Sequence, residues 1–562
     1  MKKWVLISLL AVFFLAIFMR LFPLTQSAIW GSDTGEYYHI TSQLASDGYV
    51  STDYEGWGFG YPYFPGMFYL SGGFHLLTGM DVLWSLIVVI PFVASFSVLL
   101  VFILAKILFK SDGAAIIAGA FSAVAMPHVF ATSHPMPGSL GDVLLIFTIL
   151  LLLASFKNKK FVLLLIPTAF ALTITHHLSS YFLFIMVLGG LFVEEILKKE
   201  DKQGTRFAWA FLVFILTVMI LYWMLLAQPF AERVVGDAFG IPYEAVLLGG
   251  YVALFLAYFI IKIRKRFNWR FEPKFPDPQK QIGKYLLLLS VLFVVLVLVA
   301  FTTLLGTSIQ LDPAILLMFS PFLILTAFGS MGPGYSRFFK NGMVLYGWII
   351  ALLLSSFIGL MASSRVLLPY RHTQYLIVPL ALLIGIGLVM MYNMVDSKKR
   401  TKKLLAIGLV TVLLALCALS AYPPKEFMGG FQEGTSEADM KAVTWAKSSL
   451  NEDATVASDH RMSSIIFGFG GLNATWDEAY LTLHAADYDG CRSELENLST
   501  PSGEKPIEYI LLDDDIKEGA ALLQWENAEP MSSEAQKKFE KWPFVKLYES
   551  NGVEVYGIVK QG

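Results

Sequence analysis

Asp33 and Glu36 stand three residues apart in AIWGSDTGEYYHITSQLASDGYV (28–50), a stretch that also holds Asp47 and contains no Lys or Arg. With no local cation to pair, loss of Asp33 should leave no orphaned charge behind. Carboxylates in such a setting are hard oxygen donors, suited to Mg or Mn, which also bind substrate phosphate. A second loop, SHPMPGSLGD (133–142), contains His134 and ends on Asp142 at the mouth of an apolar helix. THHLSS (175–180) supplies His176 and His177, and SSRVLLPYRHTQ (363–374) supplies Arg365, Arg371 and His372. Arginine presents a planar fork of donors that matches a phosphate. Carboxylates, imidazoles and guanidinium groups of this kind suit chemistry at a phosphorylated substrate. Each residue also has a plainer reading. Asp33 and Glu36 could be solvated loop acids, Asp142 a helix cap, Arg365 an interfacial anchor, and Arg20 a side chain snorkelling outward.

The elements that must position these groups are membrane helices. The chain has 562 residues, of which 56% are hydrophobic and 15% charged, against about 25% charged in soluble domains. Apolar runs predict about thirteen helices, over 4–22, 84–109, 113–133, 142–156, 161–174, 180–197, 207–227, 244–263, 285–304, 313–330, 342–362, 374–394 and 404–422. Positive charge then sorts by side. With the N-terminus cytoplasmic, the inner loops carry Lys2, Lys3, Lys106, Lys110, KNKK (157–160), KKEDKQGTR (198–206), KIRKRFNWR (262–270), Arg337, Lys340 and KKRTKK (398–403). The outer ends carry Arg20, Arg233, Arg365 and Arg371. An odd number of crossings places the C-terminal region outside. Met1–Phe22 reads as a retained signal-anchor. Cys417, in an apolar run, and Cys491, in a polar one, predict no disulfide and no metal-ligand spacing.

Two regions result: a transmembrane part, 1–422, whose first outer loop is 23–83, and a small α/β domain, 423–562. In that domain EADMKAVTWAKSSL has helical spacing. ATVAS and EYILL read as buried strands, and FVKLYESNGVEVYGIV reads as a hairpin around Asn551-Gly552. Asn473 and Asn497 head two sequons. The outer loops gather nearly all the unusual residues on one face. They include the aromatic run GWGFGYPYFPGMFYL (56–70) and a short amphipathic stretch to Met80 that should lie along the interface. Ionisable groups at membrane depth are costly and so are functional candidates. A carboxylate site, an anion clamp and an aromatic wall fit a reaction on a lipid-linked phosphosugar.

Four stretches carry a family resemblance. GSDTGEYYHITSQLASDGY, MPHVFATSHPMPGSLGDVLLIF, SRVLLPYRHTQYLIVPLALL and MKAVTWAKSSLNEDATVASDHR together resemble the GT-C superfamily of polyprenyl-phosphate-dependent glycosyltransferases. Within it they are most like catalytic subunits of oligosaccharyltransferase and their archaeal relatives. The resemblance implies a GT-C fold: a polytopic α-helical membrane protein with a small C-terminal extracytoplasmic α/β domain, in the plasma membrane. It puts Asp33 at the catalytic, metal-binding aspartate, Asp142 at the second acidic motif and Arg371 at the site for donor lipid phosphate. The chain departs from the family at SDHRM (458–462), where oligosaccharyltransferases have Trp-Trp-Asp-Tyr-Gly. It departs again at Val143, which follows Asp142 in place of an acidic partner, and at LGTSIQLDP (305–313).

These readings set the expectations. Asp33, Asp142 and Glu36 are the catalytic candidates. Asp33, Asp142, His176 and His134 would hold a Mn or Mg ion. Arg371, Arg20, His372 and Arg365 would bind the donor phosphate, and Asp459, His460 and Arg461 the acceptor. The activity implied is transfer of a sugar or oligosaccharide from a polyprenyl-(di)phosphate donor to a protein, glycan or lipid acceptor, with no nucleic acid involved. The alternatives are transfer to protein asparagine with an atypical acceptor motif, and transport of a lipid-linked sugar without catalysis.

Overall fold

The computed structural model describes residues 2–197, 202–236, 242–264, 278–302, 312–329, 331–336, 342–361, 366–394, 400–428, 432–486, 491, 507–519 and 530–559. Arg365, Asn497 and much of the basic inner-loop sequence lie outside them. A helix occupies each of the thirteen expected segments, from Lys3–Leu21 to Arg400–Leu419. Their lengths divide them. Among the described residues nine helices are long and apolar enough to cross a membrane, or ten if Asp112–Val124 and Met126–Ser133, bent by 58°, form one span. Val162–Thr175, Ile282–Leu298 and Ile315–Phe328 are apolar but shorter than the roughly 20 residues of a full crossing. The chain is an integral membrane protein. Helices such as Arg400–Leu419 expose leucines almost all round, as lipid contact requires.

The C-terminal region builds a five-stranded sheet, in the order β4 (Asn473–Ala474), β3 (Thr455–Ala457), β5 (Tyr509–Leu512), β7 (Val553–Ile558), β6 (Phe544–Ser550). β3 runs parallel to β4 and β5, and β7 runs antiparallel to β5 and β6. The two-residue alternation of strands splits its core. Ile510 and Leu512 face one apolar cluster, with Phe539 and Tyr556, while Leu511 faces the other, with Val443 and Val555. Asn551 and Gly552 both have positive φ, the tight-hairpin geometry that Asn-Gly favours. Helix Glu437–Ser449 starts on a capping box between Ser436 and Asp439. Both cysteines are buried.

Two contacts lock this domain to the first loop. β1 (Ile29–Trp30) pairs antiparallel with β2 (Gly434–Thr435). Helix Thr34–Asp47 then lies backbone to backbone against the segment 464–468. A Cβ on Gly35 would stand 1.9 Å from the Ser464 carbonyl oxygen, and one on Gly468 would stand 1.9 Å from that of Gly35. Aromatic pairs complete the seam: Tyr38 stacks on Phe469 at 4.0 Å, and His39 packs against Phe467 at 4.7 Å.

Gly468→Ala should therefore push the domain off the first loop, at a cost of about 1–3 kcal/mol for an overpacked contact. Gly73→Ala, where a Cβ meets open space, is the control. Thermal unfolding in detergent checks this, and equal melting temperatures for the two variants would refute it.

Candidate functional site

Asp33 occupies the N-cap position of helix Thr34–Asp47, yet its side chain makes no capping bond and its carboxylate points elsewhere. Oδ2 accepts hydrogen bonds from the Tyr61 hydroxyl at 2.7 Å and the Tyr37 hydroxyl at 3.3 Å. Oδ1 accepts from His460 Nε2 at 3.0 Å, a residue 427 positions away in the C-terminal domain. The other ring nitrogen, Nδ1, lies 3.2 Å from Asp477 Oδ1, within ion-pair reach but off the hydrogen-bond line. The imidazole is thus set between two carboxylates, with Trp57 edge-on at 4.7 Å and Trp476 at 5.7 Å.

Burial disfavours charge on both partners. For His460 it is outweighed by the hydrogen bond to Asp33 and by the charges of Asp33 and Asp477, which hold the ring well above its ordinary value. For Asp33 it is outweighed by His460 first and the tyrosine hydroxyls second, which keep the carboxylate below its ordinary value. The pair is an ion pair. So the cation missing from the first loop arrives from the other end of the chain, and replacing Asp33 would strand a buried imidazolium after all.

Glu36, one turn on, is fully buried. Oε1 accepts from the Tyr54 hydroxyl at 2.5 Å and the Gly58 amide at 2.9 Å, while Oε2 has no hydrogen-bond partner among the described residues. Burial, and then the charge of Asp33, raises its pKa from 4.5 to about 7.

Asp142 belongs to a different centre. Its Oδ2 lies 2.9 Å from His128 Nε2. His128 Nδ1 lies 3.1 Å from Arg20 Nη2 and 3.0 Å from the Ser122 carbonyl. The ring stands between the Arg20 guanidinium and the Asp142 carboxylate and joins the two charged groups in one row. Arg20 also donates to the Ala16 carbonyl and Ser97 Oγ. It is 1% exposed, so it neither snorkels outward nor is free to clamp a phosphate. Its polar partners on neighbouring helices hold it inside.

The remaining candidates separate in the same way. His134 Nδ1 donates to the Phe130 carbonyl at 2.7 Å, its ring stacks on Trp30, and its Nε2 lies 3.7 Å from Glu433. His176 bonds Ser179 Oγ at 2.7 Å, and that hydroxyl continues to Tyr375. His372 is buried between Ser355 Oγ and the Leu368 carbonyl, closed to a phosphate. Arg371 is different. Its Nε donates to the Tyr370 hydroxyl at 3.2 Å, and its two terminal nitrogens make no hydrogen bond among the described residues. It interacts electrostatically with His176 and His177. One short segment links it to Asp33: Tyr61 bonds Asp33, and Phe64 packs 5.1 Å from His177.

The expected acceptor patch divides too. Asp459 caps helix His460–Ile465 by accepting from the Met462 amide at 2.8 Å. Arg461 is 0% exposed, bonded to the Gly434 carbonyl, Asp439 and Asp513 and close to Asp459 and Asp515. It fastens the domain internally, and His460 alone of the three faces the first loop. His128, Tyr61, Tyr54 and Asp477 were not singled out from the sequence. His128, an ionisable residue within an apolar stretch, carried a usable signal, whereas the Asp33–His460 contact had no local one.

Among the described residues no three His, Cys, Asp or Glu side chains could together hold a metal ion. The four expected ligands sit in separate hydrogen-bond networks. At Asp33 both oxygens are engaged, one of them by a cationic ring, so these residues do not fit a divalent ion as arranged.

The architecture itself has known counterparts. The chain matches the archaeal oligosaccharyltransferase AglB from Archaeoglobus fulgidus, in complex with an inhibitory peptide and a dolichol-phosphate. The TM-score is 0.62 at 15% identity, over 100% of this chain and 74% of that one. The chain has the GT-C fold. An Archaeoglobus fulgidus oligosaccharyltransferase tethered by a disulfide to an acceptor peptide containing the NVT sequon gives 0.59 at 14% identity, over the same shares. No protein-family model and no curated protein matches the sequence significantly. In this fold the first loop and the C-terminal domain meet at Asp33 and His460.

Glu36 provides a pH test. Its folded pKa of about 7 lies above the ordinary 4.5, so the folded state holds the proton more tightly. The contribution of Glu36 to stability is full below pH 4.5 and is lost as pH rises towards 7, by about 3 kcal/mol in total. Glu36→Gln should abolish that fall. Melting temperatures at pH 5 and pH 8 measure it, and an unchanged pH dependence in the variant would exclude the assignment.

Proposed function

We propose that the chain is a membrane glycosyltransferase that moves a sugar from a polyprenyl-(di)phosphate-linked donor to an acceptor at the face carrying the C-terminal domain, outside the cytoplasm. The observation that carries this is the ionised Asp33, its side chain 26% exposed, at the junction of loop and domain in a GT-C fold. Three of the roughly four acceptor positions of a carboxylate are taken by Tyr61, Tyr37 and His460. The one left suits the proton of an incoming nucleophile. Asp33 takes that proton as the nucleophile bonds to the anomeric carbon and the bond from that carbon to the phosphate oxygen breaks. Arg371, with its terminal nitrogens uncommitted, receives the departing phosphate, and a preorganised cation at a developing anion is a large catalytic contribution.

Nothing in this account routes a step through a metal. The Mn or Mg expected from the resemblance would require Asp33 to exchange its present partners. A second reading, transfer to protein asparagine, draws on the likeness to AglB, but the Trp-Trp-Asp-Tyr-Gly position holds Ser458–Met462. In place of that motif the junction presents the exposed Trp57 to the acceptor.

Purified protein incubated with labelled polyprenyl-phosphate sugars and a panel of acceptors should release labelled product. Asp33→Ala should lose more than about tenfold in rate, which is 1.4 kcal/mol of barrier. Loss of donor in both proteins alike would refute the assignment. Arg371→Ala should raise the donor concentration needed for half-maximal rate more than it lowers the limiting rate. Arg371→Lys should restore part of this, because charge survives without the fork. Unchanged donor dependence in Arg371→Ala would remove Arg371 from the phosphate site.

A further inference from the structure

We infer that the acceptor is a neutral carbohydrate, its ring stacked on Trp57 and one of its hydroxyls turned to Asp33. This rests on the glycosyltransferase reading and names the acceptor class for the same site. The backbone around Trp57 is fixed. Gly56 and Gly58 on either side of it are buried, and a Cβ on the first would run into Tyr54 and Glu36, and on the second into Tyr61. The Gly58 amide donates to Glu36 at 2.9 Å, and the Tyr61 hydroxyl donates to Asp33 at 2.7 Å. The chain is thus tied to both carboxylates while the indole between the glycines stands 36% exposed. That indole packs at 4.7 Å, nearly perpendicular, against the His460 ring, whose Nε2 bonds Asp33. Trp57 therefore stands at the seam between loop and domain, one imidazole away from Asp33.

The indole is also uncommitted. His460 is the one aromatic side chain against it, and its N–H makes no hydrogen bond among the described residues. Phe59, two residues on, differs, because Arg233 lies over its ring at 4.8 Å. The exposed charge nearest the indole along the chain is acidic. Glu55 and Glu478 are exposed, Asp33 and Asp477 are about a quarter exposed, and neither 23–83 nor 466–486 contains Lys or Arg. An apolar face with a free N–H, set among carboxylate acceptors, matches a sugar ring. Its polarised C–H groups face the negative surface of the indole, and its hydroxyls both donate and accept. The same carboxylates disfavour an anionic acceptor. The hydroxyl at Asp33 passes its proton to the carboxylate as its oxygen bonds to the anomeric carbon of the donor. The electrons of the broken carbon–oxygen bond leave with the phosphate.

The test uses free maltotriose, mannotriose and arabinotriose as probes on the full-length protein in a sugar-free detergent, read by saturation-transfer difference NMR. At least one should receive saturation from wild type. Trp57→Phe should keep most of that binding. Trp57→Leu, which keeps apolar bulk without a ring, should weaken it about tenfold, the upper end of what one stacked aromatic contributes. A glucuronate-containing trisaccharide should bind more weakly than the neutral ones. Saturation of none of the three, or equal binding by a folded Trp57→Leu, would overturn the inference. If Trp57→Leu does not fold, the wild-type comparison decides, and a glucuronate sugar that binds as well as the neutral ones would overturn the inference. A transfer arm separates the inference from the reading beneath it. With labelled polyprenyl-phosphate sugar, Trp57→Leu should raise the trisaccharide concentration for half-maximal rate by the same factor and leave that for the donor unchanged. Transfer to an Asn-Val-Thr peptide that is indifferent to Trp57→Leu would overturn the inference and leave the reading standing. Trisaccharide binding without transfer from any donor would count against that reading alone.

Discussion

His460 Nε2 reaches Asp33 Oδ1 across 427 residues of chain, and most of what surrounds it serves to hold that contact. The two-residue pairing of Ile29–Trp30 with Gly434–Thr435 brings the loop to the domain. The mutual approach of Gly35 and Gly468 lets the two backbones touch. Tyr61 and Tyr37 fix the other carboxylate oxygen, and the Arg461 cage fixes the helix that carries the imidazole. An ion pair so enclosed is tolerable only when its remaining valences are met.

The membrane part repeats this logic with other residues. Arg20, His128 and Asp142 are each almost fully buried. As isolated charges each would be costly there. Joined in a row through the His128 ring, the arginine and aspartate offset one another. The bend between Asp112–Val124 and Met126–Ser133 leaves the Ser122 carbonyl near His128 Nδ1, so the interrupted helix lies beside the polar row.

The helices were legible because apolar runs are a one-dimensional signal, and the hairpin was legible because Asn551-Gly552 encodes its own turn. Asp33 stood out because its loop holds no cation. What faces it did not, since no local pattern records a neighbour four hundred residues on. Arg20 illustrates the same limit: its place near a helix end suggested the interface, but which way the side chain turns depends on Ser97 and His128 on other helices. Asp142 and Asp33 looked like two halves of one site because both sit at helix mouths. Each instead found an imidazole of its own. His460 and Arg461 are adjacent and alike in charge, yet one faces the first loop and the other is sealed in the domain.

The short pairing of β1 with β2 has a consequence for biosynthesis. At roughly 5–20 residues per second, the Ile29–Trp30 segment waits on the order of 20–80 s before its partner, Gly434–Thr435, has been made. Through that interval Ile29, later fully buried, and the edge of β1 are without their native cover. Contacts so distant along the chain form late. Asp33 therefore acquires its imidazolium among the last events of maturation, and a chain interrupted before residue 460 would have its helices but never the assembled site.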